Sequence, residues 1–332
     1  MDRQHIATFP NRGGRRLVGI VHEPLDHARR DVGILLLSPG VKNRVGPHRL
    51  YNKLAAECAS LGFWVLRFDF DGLGDSEGEV VEPLLADFYA SIQVGRYVDD
   101  TRCAMDWMRR TYGIPRFVLG GLCGGAITGL LAADDDAAVA GLLGLGIPVI
   151  LDGSNVDRLR NLTAGQMGAM RSRYVRKLLS PAAWRRLLTF RTDFRLLARV
   201  LSSSRPTPPQ SAAPAGVAPS PATGDNTNPH FAPALLRMVS SGRPVLLVFG
   251  GADRLYFEYK EKFLARHEAQ AAGSASLDVA VVEQANHVFT FGAWQDQVLA
   301  TSRSWLMTRF PMPETAGAAT GSDAVRRAGH RQ

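Results

Sequence analysis

The sequence predicts an α/β fold built on a mostly parallel, doubly wound sheet, and three observations support this prediction. First, short apolar runs recur along the chain, which suits parallel strands buried on both faces. Second, stretches with helical spacing lie between these runs, as they do when a helix crosses from one strand to the next. Third, one long interval has no strand pattern and predicts an inserted helical segment.

The chain begins with a predicted antiparallel hairpin, in which extended runs at residues 4–9 and 16–21 flank a turn-forming stretch at residues 11–14. After the hairpin the pattern changes to the apolar runs of buried strands. These further strands are predicted at residues 32–37, 64–68, 117–119, 139–147, 245–249 and 277–282. Together with the hairpin they predict a sheet of at most eight strands.

Helices are predicted in the intervals between these strands. Apolar side chains fall at helical spacing from Leu50 onwards, and Gly62 stands where this helix would end. One of the apolar positions is Cys58, which is therefore predicted to lie in the core. Further helices are predicted at residues 94–112, 124–133, 258–271 and 292–308. The alternation of strand and helix is typical of a doubly wound sheet.

The interval from about residue 151 to residue 243 breaks this alternation and divides the chain into segments. The predicted segments are an α/β core (1–150 and 240–310), a basic helical cap (151–201), a disordered linker (202–229) and a disordered tail (311–332). The cap is predicted to be helical because Trp184, Leu188 and Leu197 belong to an apolar stripe. The linker is rich in Pro, Ala, Ser and Gly, and the tail looks similar; this composition does not build a core.

The formal net charge of +8 is concentrated in the predicted cap. Three interpretations are open: a solvated helical cap, a cap that binds an anionic substrate such as a CoA ester or an acidic glycan, and a membrane-surface patch. The solvated cap is the default, and peripheral membrane contact is not favoured. Nucleic acid is not expected as a partner, because no recognised binding module accompanies the arginines.

Cysteine usage and hydropathy indicate the compartment. The chain has three cysteines, at positions 58, 103 and 123, and its first residues lack the order of a signal peptide. No apolar run approaches the roughly 18 residues that a membrane-spanning helix needs. We therefore expect free thiols and a cytoplasmic location.

Residues 121–125 have the sequence Gly-Leu-Cys-Gly-Gly, which follows an apolar strand and opens a predicted helix without a gap. A sharp turn from strand to helix needs small neighbours, and it exposes its central side chain beside a helix N-terminus. The pattern is that of a nucleophile elbow, GxSxG, with sulfur in place of oxygen. The helix end and a neighbouring imidazolium favour the reactive thiolate, so Cys123 is the predicted nucleophile. A small buried cysteine in a packing turn is the alternative.

Two further residues follow strands at the edge of the sheet that Cys123 occupies. Asp253 comes just after the strand at residues 245–249, and His287 follows the last strand. We predict that His287 takes the thiol proton and later activates water, while Asp253 fixes its tautomer and supports the imidazolium.

Other residues compete for these roles. Asp152 follows the preceding strand and is the main rival for the acid, whereas Glu283 fits the acid less well. His48 is the other candidate histidine, and a role in substrate binding or loop structure suits it better.

Because negative charge develops on the acyl oxygen in a tetrahedral intermediate, the reaction needs an oxyanion hole. Its predicted donors are the backbone N–H groups of Gly124, just after the nucleophile, and of Val41, in the loop after the strand at residues 32–37. No cofactor is predicted, since the chain itself supplies nucleophile, base and oxyanion donors. The aspartates within residues 69–75 are predicted to tie down their loop rather than to bind a metal.

With this order of nucleophile, acid and histidine, the chain resembles the α/β-hydrolase superfamily over nearly its full length outside the insertion and tail. In having cysteine at the elbow, the chain resembles dienelactone hydrolases and the bile-acid-type acyl-CoA acyltransferases and thioesterases. Most esterases and lipases have serine at this position. Residues 43–49 (NRVGPHR), 66–69 (LRFD) and 72–78 (GLGDSEG) are similar to bacterial hydrolases associated with exosortase and surface-polysaccharide systems, which also look cysteine-dependent. In the family's DxRGxGxS loop, this chain has Asp71 where arginine is usual.

The resemblance implies an α/β-hydrolase fold whose inserted cap is a lid over the active site. Residues and resemblance together predict a hydrolase that cleaves an ester or thioester of a small-molecule acyl substrate through a covalent acyl-cysteine intermediate. Two alternatives stay open: an acyltransferase that uses the same triad, and a non-catalytic binding protein that retains the fold.

Overall fold

A computed structural model describes residues 3–24, 30–134, 136–152, 225–271 and 273–312. Most of the predicted cap and linker, and all but the first two residues of the predicted tail, lie outside these described residues. The described residues form one mixed sheet with helices and apolar clusters on both of its faces.

The sheet has eight strands in the described part of the chain. They are β1 (Arg3–Pro10), β2 (Arg16–Glu23), β3 (Val32–Leu37), β4 (Val65–Phe68), β5 (Arg116–Leu122), β6 (Val139–Leu145), β7 (Val245–Gly250) and β8 (Leu277–Val282). Their order across the sheet is β1-β2-β4-β3-β5-β6-β7-β8. The β1–β2 and β2–β4 pairs are antiparallel, whereas β3 to β8 run parallel. The predicted mostly parallel sheet is confirmed.

Helices cover the sheet on both sides. They are α1 (Leu50–Ser60), α2 (Leu85–Gln93), α3 (Val98–Tyr112), α4 (Gly124–Ala133), α5 (Phe231–Ser240), α6 (Arg254–Glu258), α7 (Ala265–Ala271) and α8 (Gly292–Arg309). Helices α1 and α8 pack on one face, and α2 to α7 contribute to the apolar cluster on the other. None of the helices in the described ranges is long and apolar enough to cross a membrane.

The helices differ from the predicted ones in three places. The predicted helix at residues 94–112 begins only at Val98, because Gly95 has a φ of 107° and ends the unpredicted helix α2. The predicted helix at residues 258–271 begins earlier, at Arg254, and passes through a π-helical segment. Helix α5 was also unpredicted, since it lies within the interval interpreted as an insertion.

Residues 225–228, assigned from the sequence to the end of the linker, belong to the core instead. Thr227 forms an isolated antiparallel bridge with Ile150. The Asn228 side-chain amide donates a hydrogen bond to the Gln93 carbonyl at 2.7 Å, at the end of α2. This segment therefore leads directly into α5 along the carboxyl end of β6.

The parallel strands place several loops at one edge of the sheet, and Tyr51 ties two of these strands together there. Tyr51 lies on α1 and is fully buried. Its hydroxyl donates a hydrogen bond to the Leu37 carbonyl at 2.7 Å and accepts one from the Leu122 N–H at 2.7 Å. Burial raises the pKa of the Tyr51 phenol, so the hydroxyl keeps the proton that it donates. The ends of β3 and β5 are thus joined through one side chain.

Replacing Tyr51 by phenylalanine is expected to lower the free energy of unfolding by about 1–3 kcal/mol, because a buried carbonyl and a buried N–H lose their shared partner. Urea denaturation followed by tryptophan fluorescence measures this change. Tyr112→Phe is the matched control, since the Tyr112 hydroxyl meets no acceptor among the described residues, and its effect should stay within about 0.5 kcal/mol. Wild-type stability of Tyr51→Phe would contradict the bridging role.

Candidate active site

The sharp turn between β5 and α4 holds Cys123 with φ 54° and ψ −112°. Residues other than glycine rarely adopt a positive φ, and backbone strain of this kind concentrates at functional sites. Flanking glycines permit the turn: a Cβ on Gly121 would lie 2.4 Å from the Gly125 carbonyl carbon. A Cβ on Gly125 would lie 2.2 Å from the Leu37 oxygen. The structure therefore places Cys123, partly exposed, at the position of the predicted nucleophile.

Asp253 and His287 meet at the same edge of the sheet. Asp253 follows β7 and caps the start of α6, where its Oδ1 accepts a hydrogen bond from the Leu255 N–H at 3.2 Å. Its other oxygen, Oδ2, lies 2.7 Å from His287 Nδ1. The Asp253 carboxylate is buried, and each of its two oxygens has one of these hydrogen-bond partners. The other imidazole nitrogen is left for Cys123, which lies near enough to His287 to raise the pKa of the imidazole.

The charge state of the histidine follows from these contacts. Burial lowers the pKa of the His287 imidazole, but hydrogen bonds to Asp253 and Cys123 raise it by more, to about 10. The imidazole is therefore protonated at neutral pH, and its positive charge lies beside the Cys123 sulfur.

Residues 38–44 follow β3 and carry the predicted donor Val41; we name them the oxyanion loop. Gly40 has a φ of 62° and packs against the elbow, because a Cβ on Gly124 would lie 2.7 Å from Gly40 Cα. Within the described ranges, the Val41 N–H donates to no acceptor, and Gly124 is the first residue of α4, where N–H groups lack helical partners. The two predicted oxyanion donors thus lie in adjoining segments beside Cys123.

The rival residues occupy other positions. The Asp152 carboxylate accepts a hydrogen bond from Arg254 Nη2 at 3.3 Å, whereas the carboxylate at His287 Nδ1 is that of Asp253. His48 lies in the 3-10 turn before α1. The geometry of the described residues therefore favours Asp253 over Asp152 and His287 over His48.

Two residues close to the nucleophile were not predicted. Tyr89 on α2 packs its ring against Gly40, where a Cβ would lie 2.9 Å from a ring carbon. Burial and the proximity of Cys123 raise the pKa of Tyr89 to about 12, so its hydroxyl is neutral at physiological pH. Arg254, half exposed, interacts electrostatically with Cys123. Tyr89 lies on an unpredicted helix, and only the fold brings Arg254 near the thiol, so neither residue carried a sequence signal.

The aspartates of residues 69–75 bind arginines and backbone groups. Arg44 pairs with two of them, Asp69 and Asp75, and Arg15 pairs with Asp71 at 2.7 Å. Across the described ranges, no three His, Cys, Asp or Glu side chains are grouped as a metal site would require. The aspartates tie down their loop, as the sequence predicts.

Comparison with known proteins shows the family. A model of the α/β hydrolase family matches residues 34–301, well over half of the chain. The protein therefore belongs to the α/β hydrolase family. No curated protein matches the sequence.

Solved structures with similar folds share little sequence with this chain. An esterase from Pyrococcus furiosus is 16% identical with a TM-score of 0.56, and the match covers 94% of this chain and 92% of the esterase. An α/β hydrolase from Penicillium is 15% identical with a TM-score of 0.54, over 93% of this chain and 99% of that one. A Xanthomonas campestris serine hydrolase without a lid is 15% identical with a TM-score of 0.51, over 94% and 97%. These likenesses confirm the fold.

The protonation of His287 can be observed directly by NMR titration of its imidazole. We expect a midpoint near pH 10, and a lower midpoint in Cys123→Ala, because one of the contacts that raise the pKa is then removed. Since the folded pKa lies above the ordinary value near 6.5, the pair stabilises the fold fully below about pH 6.5 and loses this effect as pH rises through about 10.

Cys103→Ala is the matched control for this titration, since it removes a thiol elsewhere on the molecule and should leave the midpoint unchanged. A wild-type midpoint near 6.5, or the same midpoint in Cys123→Ala, would contradict the contact between thiol and imidazole.

Proposed function

We propose that this protein is a hydrolase that cleaves an ester or thioester through an acyl-cysteine intermediate, with Cys123, His287 and Asp253 as its triad. The observation that carries the proposal is the 2.7 Å contact between His287 Nδ1 and Asp253 Oδ2 beside a cysteine held in a strained strand-to-helix turn. Membership of the α/β hydrolase family and the likeness of the fold to an esterase support ester hydrolysis.

In the acylation step, the Cys123 thiolate attacks the carbonyl carbon, and the carbonyl π electrons move to oxygen. The N–H groups of Val41 and Gly124 stabilise this oxyanion. When the tetrahedral intermediate collapses, the bond to the leaving group breaks, and the His287 imidazolium gives its proton to the departing oxygen or sulfur. Asp253 holds the imidazole in the tautomer that this transfer requires.

In the deacylation step, neutral His287 removes a proton from water, which attacks the acyl-cysteine carbonyl. His287 becomes an imidazolium in this attack, and collapse of the second intermediate then expels the Cys123 thiolate. An amine or alcohol in place of water would make the protein an acyltransferase, and every residue named above would act in the same way.

The substrate is proposed to be an activated acyl group rather than an amide. A thiolate leaves a tetrahedral intermediate more readily than the amine of an amide does, so the intermediate formed from an amide returns to starting material. We expect a small-molecule acyl substrate, and the positive charge of the predicted cap favours one that carries negative charge. The free thiols of Cys58, Cys103 and Cys123 fit a reducing compartment, and the cytoplasm is the proposed location.

Cys123→Ser and His287→Ala are each expected to lower turnover by about 10³-fold or more, because the nucleophile and its proton carrier act as a unit. The measurement combines turnover of a short p-nitrophenyl ester with mass spectrometry of protein incubated with that ester or with a panel of acyl-CoAs. The expected result is an acyl adduct on Cys123 that decays in water. Cys103→Ala is the control and should keep wild-type turnover.

Other outcomes separate the alternatives. An adduct that persists until an amine or alcohol is added would identify an acyltransferase. Ligand binding without turnover in either wild type or variant would identify a non-catalytic binding protein. Turnover that survives in both Cys123→Ser and His287→Ala would exclude the proposed triad.

The pH dependence of kcat/KM for an alkyl ester provides a separate test, since its alkoxide leaving group must be protonated. We expect kcat/KM to fall as pH rises through about 10, where His287 loses its proton. In Asp253→Asn the fall should move to lower pH, because a contact that raises the His287 pKa is removed, and the rate should drop about 10⁴-fold.

Asp152→Asn is the matched control for this pH profile, and its alkaline limb should stay at the wild-type position. The reverse pattern, with a shifted limb in Asp152→Asn and an unchanged one in Asp253→Asn, would make Asp152 the acid.

A further inference from the structure

The oxyanion loop is fastened to the end of β4 at both of its ends. At the first end, Ser38 Oγ donates a hydrogen bond to the Phe68 carbonyl at 2.7 Å. At the second end, the Arg44 backbone N–H donates to Asp69 Oδ1 at 2.5 Å, and Arg44 Nη1 donates to Asp69 Oδ2. Phe68 and Asp69 are adjacent in the chain, so both ends of the oxyanion loop are bound at the same place, the end of β4.

Asp69 is a rigid anchor for this contact. Its side chain is 0% exposed, and it also accepts a hydrogen bond from the Asp75 backbone N–H at 3.1 Å. A Cβ on Gly74 would lie 2.2 Å from Asp69 Oδ2, so the chain closes tightly around the carboxylate. A carboxylate removed from water needs a cationic partner, and Arg44 supplies it.

Arg44 binds two carboxylates at once. While Nη1 holds Asp69, Nη2 lies 2.6 Å from Asp75 Oδ2, and the Arg44 side chain is mostly buried. A planar guanidinium can hold two acceptors in a fixed orientation, which the single ammonium of lysine cannot do. Asp71, in the same loop as Asp69, pairs with Arg15 and does not compete for Arg44.

We propose that Arg44 is a positioning residue that keeps the Val41 N–H beside Cys123, an inference that rests on the proposed function. Val41 precedes Arg44 in the oxyanion loop, and the neighbouring Gly40 lies against the elbow. While Arg44 is bound to Asp69, the loop moves away from the elbow only if a buried ion pair breaks. Arg44 therefore acts on the reaction through the loop.

The test compares Arg44→Lys with the matched control Arg15→Gln. Arg44→Lys keeps a positive charge beside Asp69 without binding both carboxylates, whereas Arg15→Gln breaks an ion pair outside the oxyanion loop. Asp75→Asn is a second variant at a position that is 66% exposed, so it removes the negative charge of the outer contact with little risk to the fold. Each protein is assayed for two reactions of Cys123: acylation by a short p-nitrophenyl ester in single turnovers, and alkylation by iodoacetamide.

Acylation needs the oxyanion hole, but alkylation does not, since the thiolate displaces iodide without forming an oxyanion. We expect Arg44→Lys to slow acylation about 10–100-fold and to change the alkylation rate and KM by less than about twofold. Asp75→Asn should slow acylation by about 3–10-fold with the same selectivity. Arg15→Gln should stay within about twofold of wild type in both reactions.

Three results would overturn the inference. If Arg44→Lys and Asp75→Asn acylate as fast as wild type, Arg44 has no positioning role and the proposed function stands. If acylation and alkylation fall in equal proportion, the variants disturb the whole site rather than the oxyanion loop. If wild-type Cys123 is alkylated but never acylated by any ester, the proposed function fails, and the role of Arg44 fails with it.

Discussion

The close backbone contact between the nucleophile elbow and the end of β3 is the constraint on which the site depends. Gly125 lies so near the Leu37 carbonyl that a side chain has no room there, and the same carbonyl accepts the hydrogen bond of Tyr51. The oxyanion loop follows β3 directly. The contact between Gly125 and Leu37 therefore fixes the position of Cys123 relative to this loop. Close packing of the backbone thus defines the geometry of the site, and the ion pairs of the site form within that geometry.

Two buried carboxylates fix the two halves of the site. Asp253 holds His287 on the side of β7 and β8, and Asp69 holds Arg44 on the side of β3 and β4. Both carboxylates stand within three residues of the end of a strand, at the edge of the sheet where the carboxyl ends of the parallel strands meet. Both are nearly removed from water, so each keeps its cationic partner at close range. Cys123 lies between them, in the turn that follows β5.

The sequence was sufficient to predict the sheet and the meeting of Asp253 with His287, because apolar runs are local and strand ends place side chains at one edge. It was not sufficient for α2, which begins without a side-chain cap and exposes Leu85, so Tyr89 was missed with it. Nor did it reveal that Arg44 reaches Asp69, a contact between residues 25 positions apart. Because Asp71 stands where the family usually has arginine, the sequence did not show which cations pair with the aspartates of this loop. In the structure these cations are Arg15 and Arg44, which come from two other segments.

The charge of His287 also bears on the choice between cysteine and serine at the elbow. A serine nucleophile needs a neutral histidine to accept its proton, and a histidine with a pKa of about 10 is protonated at neutral pH. In the proposed mechanism the cysteine attacks as a thiolate, and the imidazolium then serves as the acid for the leaving group. Cys123 is itself one cause of the raised pKa of His287, so the two side chains are electrostatically coupled. A fold that is also found in a serine hydrolase is thus compatible with a site in which the histidine, rather than the residue at the elbow, holds the proton before the reaction.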